Sequence, residues 1–363
     1  MNKNILGYLS NYNMPQISES HRYNEIDGLV FAIFSFAPQG PDVRRFRGSF
    51  SIDPIGKTMG EISKMLIDVD NNDLLNIRFG FSKNGDYGRH LRFFSHIAKN
   101  NRYKDIKVVN FIYNNNEFCQ FSAFTFKIGR GEYLIAYRGT DDSLEGWYES
   151  IKIFQQDLPS RQLALNYLQE EMDKHKGIFR LVGHSKGGHL ALSAAIMSDI
   201  EHKLNIRSII NFDGPGFSKE FIAKYYKSIL LIQHKTYRFS PTDALVSSVL
   251  FGQNILYYKK NMRYIRPYGL QTPPNGHLYF NWTIDDMGKF KLKARSNLSV
   301  LFQNTAARIH HLYSPKDLDY IFDQLYTQAA DIYKDSDNMV NRFDILTFFL
   351  GAAIKFLTIR PVR

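Results

Sequence analysis

The chain has 363 residues, 44% of them hydrophobic and 15% aromatic, which is ample material for a large packed core and excludes a disordered protein. Its formal net charge of +11 is spread without a dense basic run and no nucleic-acid motif accompanies it, so the expectation is a solubilising surface, with an anionic lipid surface the one polyanion kept in view. A single cysteine, Cys119, excludes an internal disulfide and any cysteine-based metal cluster.

Residues 1–100 read as a mainly helical N-terminal region packed on, or capping, the main domain. The opening stretch MNKNILGYLSNYN lacks a signal-peptide apolar core, and no run in the chain reaches about 18 apolar residues; with the lone cysteine this points to a cytoplasmic protein. Asn24-Glu25-Ile26-Asp27-Gly28 leads into an apolar helix candidate at 29–34, a second at 58–67 puts Ile62, Met65 and Leu66 on one side, and a third runs from about 89 to 99. From Lys107 the period changes to two. Segments 108–113 and 118–128 flank Asn114-Asn115-Asn116 as a hairpin, and Gly129-Arg130-Gly131 turns the chain into a third strand that ends at Tyr137-Arg138-Gly139-Thr140-Asp141-Asp142.

An amphipathic helix over 159–174 then precedes the most informative stretch. Residues 178–182 are a short, largely apolar run suited to a central parallel strand, and from Gly187 a helix follows that is apolar nearly all round. Between them, Gly183-His184-Ser185-Lys186-Gly187 fits the G-x-S-x-G nucleophile elbow, in which a strained turn lifts a serine to the N-terminus of a helix. The unpaired N–H groups there favour a developing oxyanion. Acyl transfer needs two such donors. The N–H of Lys186 is one candidate, and Thr140, at the end of a neighbouring strand, is the other.

After the elbow helix, residues 206–212 form an apolar strand ending in Asp213-Gly214-Pro215-Gly216. A helix at about 218–227 and a strand at 236–239, ending in Ser240-Pro241-Thr242-Asp243, follow. The alternation predicts a doubly wound α/β core over 101–297, with the strand C-termini along one sheet edge. A triad in the order serine, acid, histidine then has two candidate acids. Asp243 is preferred because it lies beyond the second strand after Ser185, and Asp213, in a Gly-Pro turn, is the alternative. The base is placed at His277, in a turn between Pro273-Pro274-Asn275-Gly276 and an aromatic run. His310-His311 fall in a helical tail without a third metal ligand, and no metal or cofactor is expected.

At these residues the chain resembles an uncharacterised bacterial family, called Mbeg-like, which is similar in turn to the class 3 lipases. The likeness runs through NILGYL from Asn4, NEIDG from Asn24, QFSAFTF from Gln120, YRGTDD from Tyr137, GHSKGGHLA from Gly183 and NFDGPGF from Asn211. It departs from the family pattern at Gly7, where Asp is frequent, and at Gly276, where Gln is frequent. The resemblance implies an α/β-hydrolase fold with Ser185, Asp243 and His277 as triad and Thr140 near the oxyanion, but it supplies no substrate; small-molecule acyl esters are the expectation from the elbow and its acyl-transfer chemistry. A hydrolase-fold binding or scaffold protein without activity is the other reading. Beyond residue 298 the resemblance fades into a helical extension: Ser314-Pro315 opens one helix and 343–359 reads as another.

Overall fold

Strand alternation sorts the core into two layers. In the computed structural model, which describes residues 4–37, 53–71, 86–116, 119–140, 149–150, 152–154, 158–250, 256, 261–267, 273–314, 316–320, 323–324 and 327, seven strands form one sheet. They are β1 (Lys107–Asn116), β2 (Cys119–Gly129), β3 (Glu132–Tyr137), β4 (Ile178–His184), β5 (Ile206–Phe212), β6 (Thr236–Pro241) and β7 (Met262–Ile265), and they lie side by side in chain order. The pairs β1–β2 and β2–β3 are antiparallel, and every pair from β3 to β7 is parallel.

Because side chains on a strand alternate between faces, Ile135 and Tyr137 of β3 point to one layer while Leu134 and Ala136 point to the other. The same split divides Leu181 from Val182 on β4 and Ile209 from Ile210 on β5. Parallel strands joined in sequence by right-handed crossovers must carry those crossovers on a single face. That face holds α5 (Pro159–Lys174), α6 (Lys186–Met197) and α9 (Tyr226–Ile232), the last preceded by the short helices α7 (Ile200–Asn205) and α8 (Lys219–Lys224). The arrangement is thus the mostly parallel α/β-hydrolase sheet flanked by helices, but it is not doubly wound. The opposite face is covered by helices that precede the sheet in the chain: α1 (Ile5–Leu9), α2 (Glu25–Phe34), α3 (Met59–Asn71) and α4 (Asp86–Ile97).

The α2 helix carries that second layer. The Asn24 side chain accepts from the N–H groups of Ile26 and Asp27, and the Asp27 carboxylate accepts from the Asn24 N–H at 2.8 Å, a reciprocal capping box. Its Phe31 and Phe34 rings pack on Phe126 of β2. Asp27 is fully buried and is held by Arg102 at 2.6 Å and by the Tyr103 hydroxyl at 2.7 Å, while Arg102 also donates to the carbonyls of Pro15 and Arg22. This buried pair fastens the N-terminal segment to the chain that enters β1.

The tail begins with α10 (Asn297–Leu312). Ser314 and Asp317 then cap a helical segment over 316–320, where buried Leu318 packs with Ile153, Leu158 and Leu250. The second tail helix expected at 343–359 lies outside the described residues, as do Asp141, Asp142 and Pro315. Among the described residues, no helix is long and apolar enough to cross a membrane.

Candidate active site

Ser185 sits between β4 and α6 with φ 58° and ψ −129°, a region that non-glycine residues avoid at a cost of about 1–3 kcal/mol. The surrounding backbone holds it there: Ser185 N–H donates to the Phe212 carbonyl at 2.9 Å, and Gly188 N–H returns to the Ser185 carbonyl at 3.0 Å. The flanking glycines are required by contact. A Cβ on Gly183 would lie 2.2 Å from the Gly187 carbonyl carbon, and one on Gly187 would lie 2.1 Å from the Tyr137 carbonyl oxygen. The elbow is therefore wedged against the end of β3, and Ser185 itself remains half-buried.

The imidazole expected at His277 comes to the same edge. His277 Nδ1 lies 2.6 Å from Asp213 Oδ2, and Asp213 is fully buried at the end of β5. Of the two candidate acids, the carboxylate that meets His277 is Asp213; among the described residues Asp243 makes no hydrogen bond with it. The reason is strand order. Since β5 lies directly beside β4, its end is about one strand spacing, roughly 4.8 Å, from the elbow, whereas Asp243 follows β6, about twice as far. Asp213 adopts φ 51°, a left-handed turn conformation, and Asn211 Oδ1 fixes the turn by accepting from Gly214 N–H at 2.6 Å. Among the described residues, Ser185 Oγ and His277 Nε2 are not hydrogen-bonded to each other, a bond that is often long in unliganded hydrolases and closes on substrate.

Aromatic packing fixes the histidine loop. The His184 ring lies 4.5 Å from that of His277, tilted by 35°, and is edge-on to Tyr279 at 4.8 Å. His184 Nε2 is 2.9 Å from the His277 carbonyl, so it carries the proton and donates. Trp282 Nε1 donates to the Gly276 carbonyl at 2.8 Å. Both carbonyls that flank the His277 backbone are thereby pinned. On the far side, buried His189 accepts from Arg161 Nε at 2.9 Å, and burial, reinforced by the Arg161 charge, holds its imidazole well below the usual range. His189 is neutral, with Nδ1 3.4 Å from the Pro215 carbonyl in the turn that follows Asp213.

The two expected oxyanion donors flank Ser185. Lys186 is the first residue of α6, and Gly139, next to Thr140, lies so close that a Cβ there would be 3.5 Å from Ser185 Cβ. Thr140 is buried, and its hydroxyl pairs with that of Ser150. The Lys186 side chain is turned inward. Its ammonium meets Glu149 Oε2 at 2.8 Å, Gln120 Oε1 at 2.8 Å and the Gln120 carbonyl at 2.7 Å. Burial would raise the Glu149 carboxyl, but the Lys186 charge and hydrogen bonds from Lys186, Ser160 and Gln120 outweigh it and hold it below the usual range. Next to this pair, burial and then the Glu149 charge push the Cys119 thiol up to about 12, which removes it as a nucleophile near neutral pH.

Gln120, Glu149, Arg161, His184 and His189 escaped the sequence reading. Only the two histidines carried a signal, as unexplained polar residues within an otherwise glycine-rich and apolar stretch. Among the described residues, no three His, Cys, Asp or Glu side chains come together as a metal-binding cluster.

The profile of the Mbeg1-like family matches residues 97–327. No curated protein sequence matches the chain. Among solved structures, lipase II from Rhizopus niveus is similar at 16% identity over 62% of this chain and 82% of that one, with a TM-score of 0.34. Lip2 lipase from Yarrowia lipolytica matches at 12% identity over 78% and 91%, TM-score 0.35, and M37 lipase at 15% over 91% and 99%, TM-score 0.34.

Proposed function

The chain belongs to the Mbeg1-like family, and from the groups gathered at the end of its sheet we propose that it is a serine hydrolase that cleaves carboxylic esters through an acyl-enzyme. The observation that carries this reading is the 2.6 Å pair between His277 Nδ1 and buried Asp213, set beside a serine strained to φ 58° at a helix N-terminus. Ser185 Oγ attacks the ester carbonyl while His277 Nε2 takes its proton, and Asp213 holds the Nδ1–H tautomer and stabilises the imidazolium. The oxyanion is received by the N–H groups of Lys186 and Thr140. His277 then protonates the leaving alcohol, and water, deprotonated by the same ring, hydrolyses the acyl-enzyme.

The test is fluorophosphonate labelling together with turnover of p-nitrophenyl esters of graded chain length, on wild type and Ser185→Ala. Labelling and turnover that both vanish in Ser185→Ala support the assignment. A folded wild type that neither labels nor turns over any ester overturns it and leaves a hydrolase-fold binding protein.

A further inference from the structure

Resting on the reading of Lys186 and Thr140 N–H groups as the oxyanion donors, we propose that Gln120 is a positioning residue that sets the direction of the Thr140 donor, and that the Lys186 ammonium in turn sets Gln120. An ammonium has three donors and no acceptor, and here all three are used: on the Gln120 carbonyl, on Gln120 Oε1 and on Glu149 Oε2. Because that group can only donate, the end of the amide facing it must be the oxygen. The NH₂ end is therefore forced the other way, where Nε2 donates to the Gly139 carbonyl at 3.4 Å.

The Gly139 carbonyl and the Thr140 N–H belong to one planar trans peptide and point in opposite directions. Holding the first fixes the second. Lys186 thus governs both donors, its own N–H by sitting first in α6 and the Thr140 N–H through the amide of Gln120. Glu149 neutralises the buried charge and anchors the clamp, accepting from Gln120 N–H at 3.1 Å and from Ser160 N–H at 3.2 Å. All of Gln120, Glu149 and Lys186 are at most 2% exposed, so no water competes for these bonds.

Deleting an oxyanion donor outright costs about a hundred- to a thousandfold in kcat. A 3.4 Å contact biases a peptide without supplying the donor, so the expected loss is smaller, about tenfold. Gln120→Met keeps the side-chain length and leaves Lys186 with two of its three acceptors. The measurements are kcat and KM for a p-nitrophenyl ester, and the affinity of a trifluoromethyl ketone whose hemiketal oxygen occupies the oxyanion position. The expected result is a drop of about tenfold in kcat with an equal loss of ketone affinity and an unchanged KM, a pattern that loosened packing would not produce. A folded Gln120→Met with wild-type kcat and ketone affinity overturns the proposal. Should that variant not fold, the double variant Lys186→Met/Glu149→Gln, which leaves no unpaired charge and frees the amide, is read by the same criteria. Wild type without Ser185-dependent turnover defeats the hydrolase reading and this proposal together; wild-type turnover with an unaffected Gln120→Met defeats this proposal alone.

Discussion

Replacing Asp213 by Asn tests the site where sequence and structure part. The carboxylate is fully buried and 2.6 Å from His277 Nδ1, so it acts on the imidazolium that forms when Ser185 is deprotonated. With charge centres about 4 Å apart and an effective dielectric of about 20, that attraction is about 4 kcal/mol. Its loss corresponds to about a thousandfold in rate. Asn also allows its amide NH₂ to face Nδ1, which moves the ring proton to Nε2 and leaves no acceptor for the serine proton; this takes the expected fall in kcat toward about ten-thousandfold. Asp243→Asn, at a half-buried residue that does not meet His277, should keep near-wild-type kcat. The assay is p-nitrophenyl ester turnover beside a thermal melt of each variant. A folded Asp213→Asn enzyme with near-wild-type kcat, or a folded Asp243→Asn enzyme that has lost it, would refute the reasoning.

Three further outcomes rest on packing and charge. Gly187→Ala drives a methyl to 2.1 Å from a backbone oxygen and should sharply lower the melting temperature, whereas Gly88→Ala, in a helix with open space around it, should leave stability equal or raise it by up to about 1 kcal/mol. Arg102→Met strands the buried Asp27 charge and should cost about 3–5 kcal/mol in urea unfolding, part of which Arg102→Met/Asp27→Asn restores. Glu149 has a lowered folded-state pKa, so its contribution is fully present above the ordinary carboxylate value of about 4.3 and is lost as pH falls through the lower folded value. Urea midpoints followed into acid should therefore fall less steeply for Lys186→Met/Glu149→Gln than for wild type; equal slopes would count against the assignment.

The elbow was legible because three local signals agree there. An apolar run, glycines two residues either side of a serine, and a helix of small and apolar residues gave 178–197, and the structure has β4 at Ile178–His184 and α6 at Lys186–Met197. The hairpin was legible for the same reason, with strand ends within a few residues. Strand β7 was not: Met-Arg-Tyr-Ile has no apolar run, and three of its four residues are only half-buried. The pairing of Asp213 with His277 was not legible, because a Gly-Pro turn looks alike whether its Asp caps a loop or faces a histidine. What decides is that β5 lies next to β4, and strand order is a long-range property that local pattern does not carry. The one-sided winding was hidden likewise, since strand–helix alternation reads the same for crossovers on one face or two.

That winding has a consequence for the nascent chain. Nine of the ten residues of α2 are buried in the finished fold, yet the β-face they cover is made from segments that reach Phe212 and beyond. At about 5–20 residues per second, the ribosome needs roughly ten to thirty-five seconds to pass from one to the other. Through that interval a greasy ten-residue helix waits for its partner, and a chaperone that shelters exposed apolar segments would find its target there.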